Sequence, residues 1–194
     1  MTALPEDVEN SAGEPHLFTV AEYSELGEFE SGYSELQEGR ILMSPSPGPR
    51  HMMASGELFV QLRDRLSEEL VAIQDVDVDL ELVPYGDPGF SRRPDLVVVP
   101  RVVAESGRML RASELLLVIE IVSPGSKRLD RVIKRGEYAD AGIPHYWIVD
   151  LSPPVSLVAC HLAGEFGYQD AGDVTGEFTT SVPFPVTLKL DGLV

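Results

Sequence analysis

Three ionisable side chains stand where an unpaired charge would be costly. Asp95 opens the run Pro94-Asp95-Leu96-Val97-Val98-Val99, and Glu120 lies inside Leu115-Leu116-Leu117-Val118-Ile119-Glu120-Ile121-Val122. Lys134 stands four residues after Asp130, in a segment that reads as a helix. A carboxylate embedded in an apolar strand must be paired or bound to a cation. Two oxygen donors with no Cys or His cluster beside them favour a hard ion, Mg²⁺ or Mn²⁺, over zinc. With an ammonium close by to stabilise developing negative charge, such a set suits hydrolysis of a phosphodiester. The sequence leaves a structural alternative open: Asp95 caps a turn and Glu120 pairs with Arg92, Arg93 or Lys134.

Other candidates surround this set. Asp130, Lys134 and Tyr138 are spaced i, i+4 and i+8, so an α-helix puts them on one face, over the end of the Glu120 strand or simply in solvent. His51 follows a proline-rich loop at a helix start, where it could contact phosphate, act as a base or serve only structure. Ser44, Ser46, Ser123 and Ser126 have no His–Asp arrangement nearby for nucleophilic catalysis, and no glycine-rich phosphate loop is present. The acids at 75, 77, 79 and 81 alternate with period two, which places them on a solvated strand face.

The elements that must position these groups can be read from periodicity. Thr19 with Glu22 forms a capping box for a short helix to about Leu26, and Glu35 to Met43 alternates around Gly39 as a hairpin. Ser44-Pro45-Ser46-Pro47-Gly48-Pro49 is a rigid loop. Leu58, Leu62, Leu66 and Leu70 predict one helix from about His51 to Leu70. Val76 to Leu82 alternates as a half-wet strand, whereas 94–99 and 115–122 read as central strands buried on both faces. A helix over Ser126–Ala141 ends at Gly142, and Tyr146 to Leu151 is a further buried strand. Two or three shorter strands complete a mixed α/β or α+β domain over 17–194, after a flexible acidic tail at 1–16.

At 194 residues the chain can bury one substantial core. The lone Cys160 excludes an internal disulfide, reads as an inert strand residue and fits the reducing cytoplasm. No apolar run reaches a membrane span, and no signal peptide is expected. The net charge of −17 argues at first against nucleic acid, but its distribution is uneven. Residues 92–135 hold ten of the fifteen Lys/Arg and only five acids, a local +5 that leaves −22 for the rest. If the substrate is a polyanion, Arg92, Arg93, Lys127, Arg128, Arg131 and Arg135 are the expected phosphate contacts. The opposing reading is that these bases only neutralise neighbouring acids.

Taken in order, several stretches resemble the Uma-type restriction endonuclease family of the PD-(D/E)XK nuclease superfamily. They are Glu35-Leu36-Gln37-Glu38-Gly39, Met43-Ser44-Pro45-Ser46-Pro47 with His51, Arg93-Pro94-Asp95 with its strand, and Val118-Ile119-Glu120-Ile121-Val122-Ser123-Pro124-Gly125-Ser126. Asp130 with Lys134 and Tyr138, and Ala141 through Asp150, complete the set, so the likeness spans about Phe18 to Leu190. The resemblance implies a restriction-endonuclease-like mixed β-sheet core flanked by helices, with additional N- and C-terminal strands. It implies Asp95 and Glu120 as metal ligands and an N-terminal acid, Glu35 or Glu38, as a further ligand or an orienting group. Val122 stands where the superfamily motif expects lysine, a departure that Lys134 on the next helix could make good. The activity implied is Mg²⁺- or Mn²⁺-dependent cleavage of DNA. Cutting both strands of a duplex needs two sites or two visits, so a homodimer is expected, and His51, Arg93, Ser123, Lys127, Arg128 and Tyr138 are the expected substrate contacts. The alternatives are a catalytically silent binding module and a phosphoesterase acting on RNA or small nucleotides.

Overall fold

The computed structural model describes residues 15–27, 29, 32–44, 46–123 and 125–194. The acidic tail expected at 1–16 lies outside the described residues except for Pro15 and His16. Helix α1 (Val20–Glu25) carries the expected capping box: the Glu22 amide donates to Thr19 Oγ1 and the Thr19 amide donates to the Glu22 carboxylate. Strands β1 (Tyr33–Gln37) and β2 (Arg40–Ser44) form a hairpin turned by Glu38 and Gly39, both at positive φ. That two-residue geometry matches the twist of the flanking strands. Helix α2 (Pro49–Arg63) starts with proline at its first position and buries Ala54, Ser55, Leu58 and Leu62.

The remaining strands are β3 (Leu70–Gln74), β4 (Val78–Asp79), β5 (Ser91–Arg92), β6 (Leu96–Pro100), β7 (Leu110–Arg111) and β8 (Leu117–Val122). After them come β9 (His145–Asp150), β10 (Ser156–Leu162), β11 (Tyr168–Gln169), β12 (Asp173–Thr175), β13 (Glu177–Thr180) and β14 (Val186–Lys189). A short α3 (Arg101–Ala104) follows β6, and α4 (Arg135–Asp140) continues a π-helical stretch, Leu129–Lys134. The main sheet runs β11-β10-β9-β8-β6-β3, with β12 also on β10. Its β8 and β9 are parallel and joined through α4, while β6 is antiparallel to both β8 and β3. A smaller sheet, β2-β1-β5-β4-β7, stands beside it.

Both faces of the main sheet are covered, so every residue of β8 is buried. On one face α2 and the β13–β14 hairpin pack over Leu96, Leu117, Ile119 and Trp147, with the Trp147 ring edge-on to Phe178 at 5.1 Å. On the other, Tyr138 and Ile143 pack over Val97, Val99, Val118 and Tyr146. Cys160 joins this second layer as the buried strand residue expected.

Three expected elements are corrected. The helix expected to reach Leu70 ends at Arg63, and Leu70 begins β3 opposite Pro100. Leu66 keeps the four-residue spacing but packs on the core from the connecting loop, and Val71 and Ile73 belong to a strand. The alternating segment 76–82 forms a strand only at Val78–Asp79, because Asp75 and Glu81, at φ of 51° and 54°, turn the backbone out of extension at either side. The helix over 126–141 starts in a turn and carries the π stretch before α4, yet Asp130, Lys134 and Tyr138 are buried together on its inward side, as their spacing predicts.

Candidate active site

Antiparallel pairing places the start of β6 beside the end of β8. Leu96 is opposite Ile119, so the next step in register sets Asp95 against Glu120. Asp75 follows β3 directly, and its amide donates to the Asp95 carbonyl at 3.3 Å. Three adjacent strand ends therefore each carry an acid. All three acids line a cleft of about 360 Å³, together with Glu35, Asp130, His51, Arg93, Ser123 and Lys134.

Lys134 is the hub. Its Nζ lies 2.7 Å from Glu120 Oε1 and 3.0 Å from Glu35 Oε1, with all three residues buried. The Tyr138 hydroxyl donates to the same Glu120 oxygen at 2.7 Å. The π stretch ends with Lys134 itself and runs directly into the helix that carries Tyr138, a device frequent at functional sites. Val122, the position where the superfamily motif carries its lysine, sits in the apolar layer with Tyr138 and Tyr146. The ammonium thus arrives from the helix facing the strand.

Glu35 is held on its other side by Arg92, whose guanidinium reaches Glu35 Oε2 at 2.9 Å and clasps Glu137 at 2.6 and 2.7 Å. The Arg93 amide also donates to Glu35. Glu38 lies in the hairpin turn instead, so of the two N-terminal acids only Glu35 reaches the cluster. Asp95 Oδ2 accepts from the Ile121 amide at 2.6 Å and lies 3.1 Å from His51 Nε2. Ser126 Oγ donates to Asp130 at 2.5 Å and receives the Ser123 amide, fixing the turn at the end of β8.

Burial and mutual repulsion dominate the electrostatics. Burial raises Asp95 well above the usual carboxylate range, and the Glu120 carboxylate adds to the rise. Burial pushes Glu120 up to about 7 against the opposing pull of Lys134. Burial also raises Asp75 and Asp130. Glu35 moves down, because Lys134 and Arg92 outweigh its burial. Burial alone would lower Lys134, but Glu120 and Glu35 reverse that and raise it.

Among the described residues, no group of three or more His, Cys, Asp or Glu is arranged as a metal cage. The donors nonetheless suit a hard cation. Glu120 Oε2 and Asp95 Oδ1 have no hydrogen-bond partner among the described residues, since the bonds to these two groups fall on Oε1 and Oδ2. Five carboxyl groups face two basic side chains, Arg93 and Lys134, across the cleft, and four of the five are held less acidic than normal. A divalent ion relieves that strain, and carboxylate oxygens are its preferred donors.

Several expected substrate contacts are corrected. Tyr138 is fully buried and does not line the cleft; it bonds Glu120. Arg92 is equally buried and is consumed by Glu35 and Glu137. Arg131 is tied to Asp150 and Asp173, Arg135 to Asp170, and Lys127 to Asp150. Arg128 is exposed and makes no hydrogen bond or ion pair among the described residues, and it lies outside the cleft lining. Among the described residues the basic segment therefore mostly pairs with acids. Arg93 and His51 do line the cleft, although Arg93 also pairs with Asp77 and stacks over the Tyr33 ring at 5.3 Å. Sequence reasoning missed Asp75, which was read as one of a solvated row. Its signal was the Leu70–Gln74 strand, which begins at the residue where the expected helix was to end.

A family model described as Uma2, "Putative restriction endonuclease", matches residues 20–190. The chain belongs to the Uma2 family. Among solved structures it is similar to a "putative nuclease belonging to DUF820" from Anabaena variabilis ATCC 29413. The TM-score is 0.68 at 20% identity, covering 91% of this chain and 97% of the other. At that identity the likeness establishes the fold, and the restriction-endonuclease-like α+β core expected from the Uma2 resemblance is the one observed. No curated protein matches.

Proposed function

We propose that this Uma2 protein is a metal-dependent endonuclease that hydrolyses DNA phosphodiester bonds. The observation that carries the reading is the pair Asp95 and Glu120 at adjacent strand ends, each with one oxygen left unpartnered, beside the buried ammonium of Lys134. Asp95 and Glu120 would hold Mg²⁺ or Mn²⁺. Such an ion supplies charge stabilisation on a phosphoryl oxygen and lowers the pKa of bound water.

The chain's own groups do the rest. Glu35 and Glu120 fix the Lys134 ammonium, which has three N–H donors and only these two acceptors among the described residues. Its third N–H is available to an attacking water or to a non-bridging oxygen as negative charge develops there. Tyr138 and Lys134 together orient Glu120. The start of α2 lines the same cleft, with Gly48 as an N-cap that has no side-chain bond and Pro49 following it, so first-turn amides are free to receive a phosphate. Arg93 supplies the one guanidinium in the cleft lining. Cutting both strands of a duplex favours a homodimer, which light scattering of the purified protein would show as twice the 21.2 kDa chain mass.

Supercoiled plasmid incubated with the protein tests the reading. Cleavage is expected with Mg²⁺ or Mn²⁺, with none in chelator and none from Asp95→Asn. Cleavage of RNA but not DNA would favour a ribonuclease of the same architecture. No cleavage of either, with binding retained, would favour a silent binding module.

A further inference from the structure

His51 lies in the first turn of α2, with Nε2 placed 3.1 Å from Asp95 Oδ2 and 3.2 Å from the Ile121 carbonyl oxygen. A carbonyl oxygen can only accept, so Nε2 must carry the hydrogen and share it between the two oxygens. Nδ1 is then the bare nitrogen, and it is buried without a partner among the described residues. The tautomer has two consequences. Nε2 cannot act as a base or bind an ion while it donates. Asp95 Oδ2 is saturated, because it also receives the Ile121 amide at 2.6 Å.

We propose that His51 is a positioning residue: its Nε2–H clamps Asp95 Oδ2 against β8 and thereby presents Oδ1 to the cation site. The proposal rests on the metal-dependent reading above. The clamp joins two rigid supports. One is the backbone of β8, and the other is α2, which is anchored by buried Leu58 and Leu62 and by the 2.8 Å bond from Gln74 to Ser55. A ligating carboxylate held by such an outer donor keeps its orientation, and losing a donor of this kind weakens metal binding roughly 10- to 100-fold. The orphaned Nδ1 is the cost of the tautomer the clamp requires.

The test measures Mn²⁺ affinity by electron paramagnetic resonance for the intact chain, Asp95→Asn, His51→Ala and His51→Gln. Glutamine places an amide N–H near the reach of Nε2, whereas alanine removes the donor. His51→Ala is expected to bind roughly 10- to 100-fold more weakly, and His51→Gln to recover to within about threefold of the intact chain. Nitrogen NMR of the metal-free protein should show a ring protonated at Nε2 and bare at Nδ1. A ring bare at Nε2, or a His51→Ala affinity equal to that of the intact chain, overturns the clamp alone. An intact chain that binds no Mn²⁺ more tightly than Asp95→Asn overturns the cation site as well, and the clamp's purpose with it.

Discussion

Replacing Lys134 with methionine removes the only side-chain ammonium in the cleft while keeping most of the side-chain volume. In the intact protein, Glu120 titrates near 7 rather than at its ordinary 4.5. The contribution of Glu120 to folding therefore shrinks as pH rises from about 4.5 to 7, and stays level once Glu120 has ionised in the folded state too. Without Lys134 its folded pKa climbs well past 7, because burial and Glu35 remain while the largest opposing influence is gone. Above pH 7 the unfolded variant is ionised and the folded variant is still protonated. The Glu120 contribution in the variant then falls by about 1.4 kcal/mol per pH unit relative to the same contribution in the intact protein. The deficit of Lys134→Met is expected to be on the order of 1 kcal/mol at pH 6, where a protonated Glu120 needs no counter-charge, and about 3–4 kcal/mol at pH 9. At about 2–4 °C per kcal/mol for a chain of this size, the gap in melting temperature widens by several degrees across that range. Urea unfolding at pH 6, 7, 8 and 9 measures it. Adding Glu120→Gln should remove the growth of the deficit with pH. Parallel pH profiles for the intact chain and Lys134→Met would refute the reasoning.

Other consequences can be read the same way. Tyr138→Phe deletes a buried 2.7 Å bond to a carboxylate and is expected to cost about 1.5–3 kcal/mol by denaturant titration, with the fold intact by circular dichroism. Asp150 is drawn down to about 2: burial opposes this, but the Ser152 amide at 3.0 Å and Lys127 at 3.2 Å prevail. Its contribution is complete above its ordinary value of 3.8 and disappears as pH falls toward 2, so Asp150→Asn should flatten the acid limb of the stability curve by on the order of 2 kcal/mol. Because most bases of 92–135 are already paired, DNA affinity should respond weakly to salt, with a log–log slope no steeper than about −2. A slope of −5 or beyond would restore the positive rim expected from composition.

The sequence exposed those parts of the site that depend on single residues in apolar strands. Asp95 and Glu120 stand out because burial makes a lone carboxylate conspicuous, and antiparallel pairing then brings them together. Lys134 was legible from its place on the helix that follows the Glu120 strand, on a face shared with Asp130 and Tyr138; that it stands in for a strand lysine at Val122 is what the family resemblance implies. What could not be read depends on long-range geometry. Leucines spaced by four predict a helix to Leu70, yet the chain leaves that helix at Asp64 and returns as a strand while preserving the spacing. That slip concealed Asp75. Whether a basic residue meets phosphate or a nearby acid depends on partners such as Asp150, Asp170 and Asp173, which lie on β9 and beyond, far from 92–135 in sequence. Local charge balance is silent on this. His51 was legible as a phosphate contact, a base or a structural residue; its contacts with Asp95 and the Ile121 carbonyl come from strands distant in sequence.

Anomalous diffraction from crystals soaked in Mn²⁺ would locate the cation. One peak is expected in the cleft, bonded to Asp95 Oδ1 and Glu120 Oε2 at roughly 2–2.3 Å, with water filling the remaining positions. No peak between these carboxylates at saturating Mn²⁺, or one held by other residues, would contradict the proposed cation site.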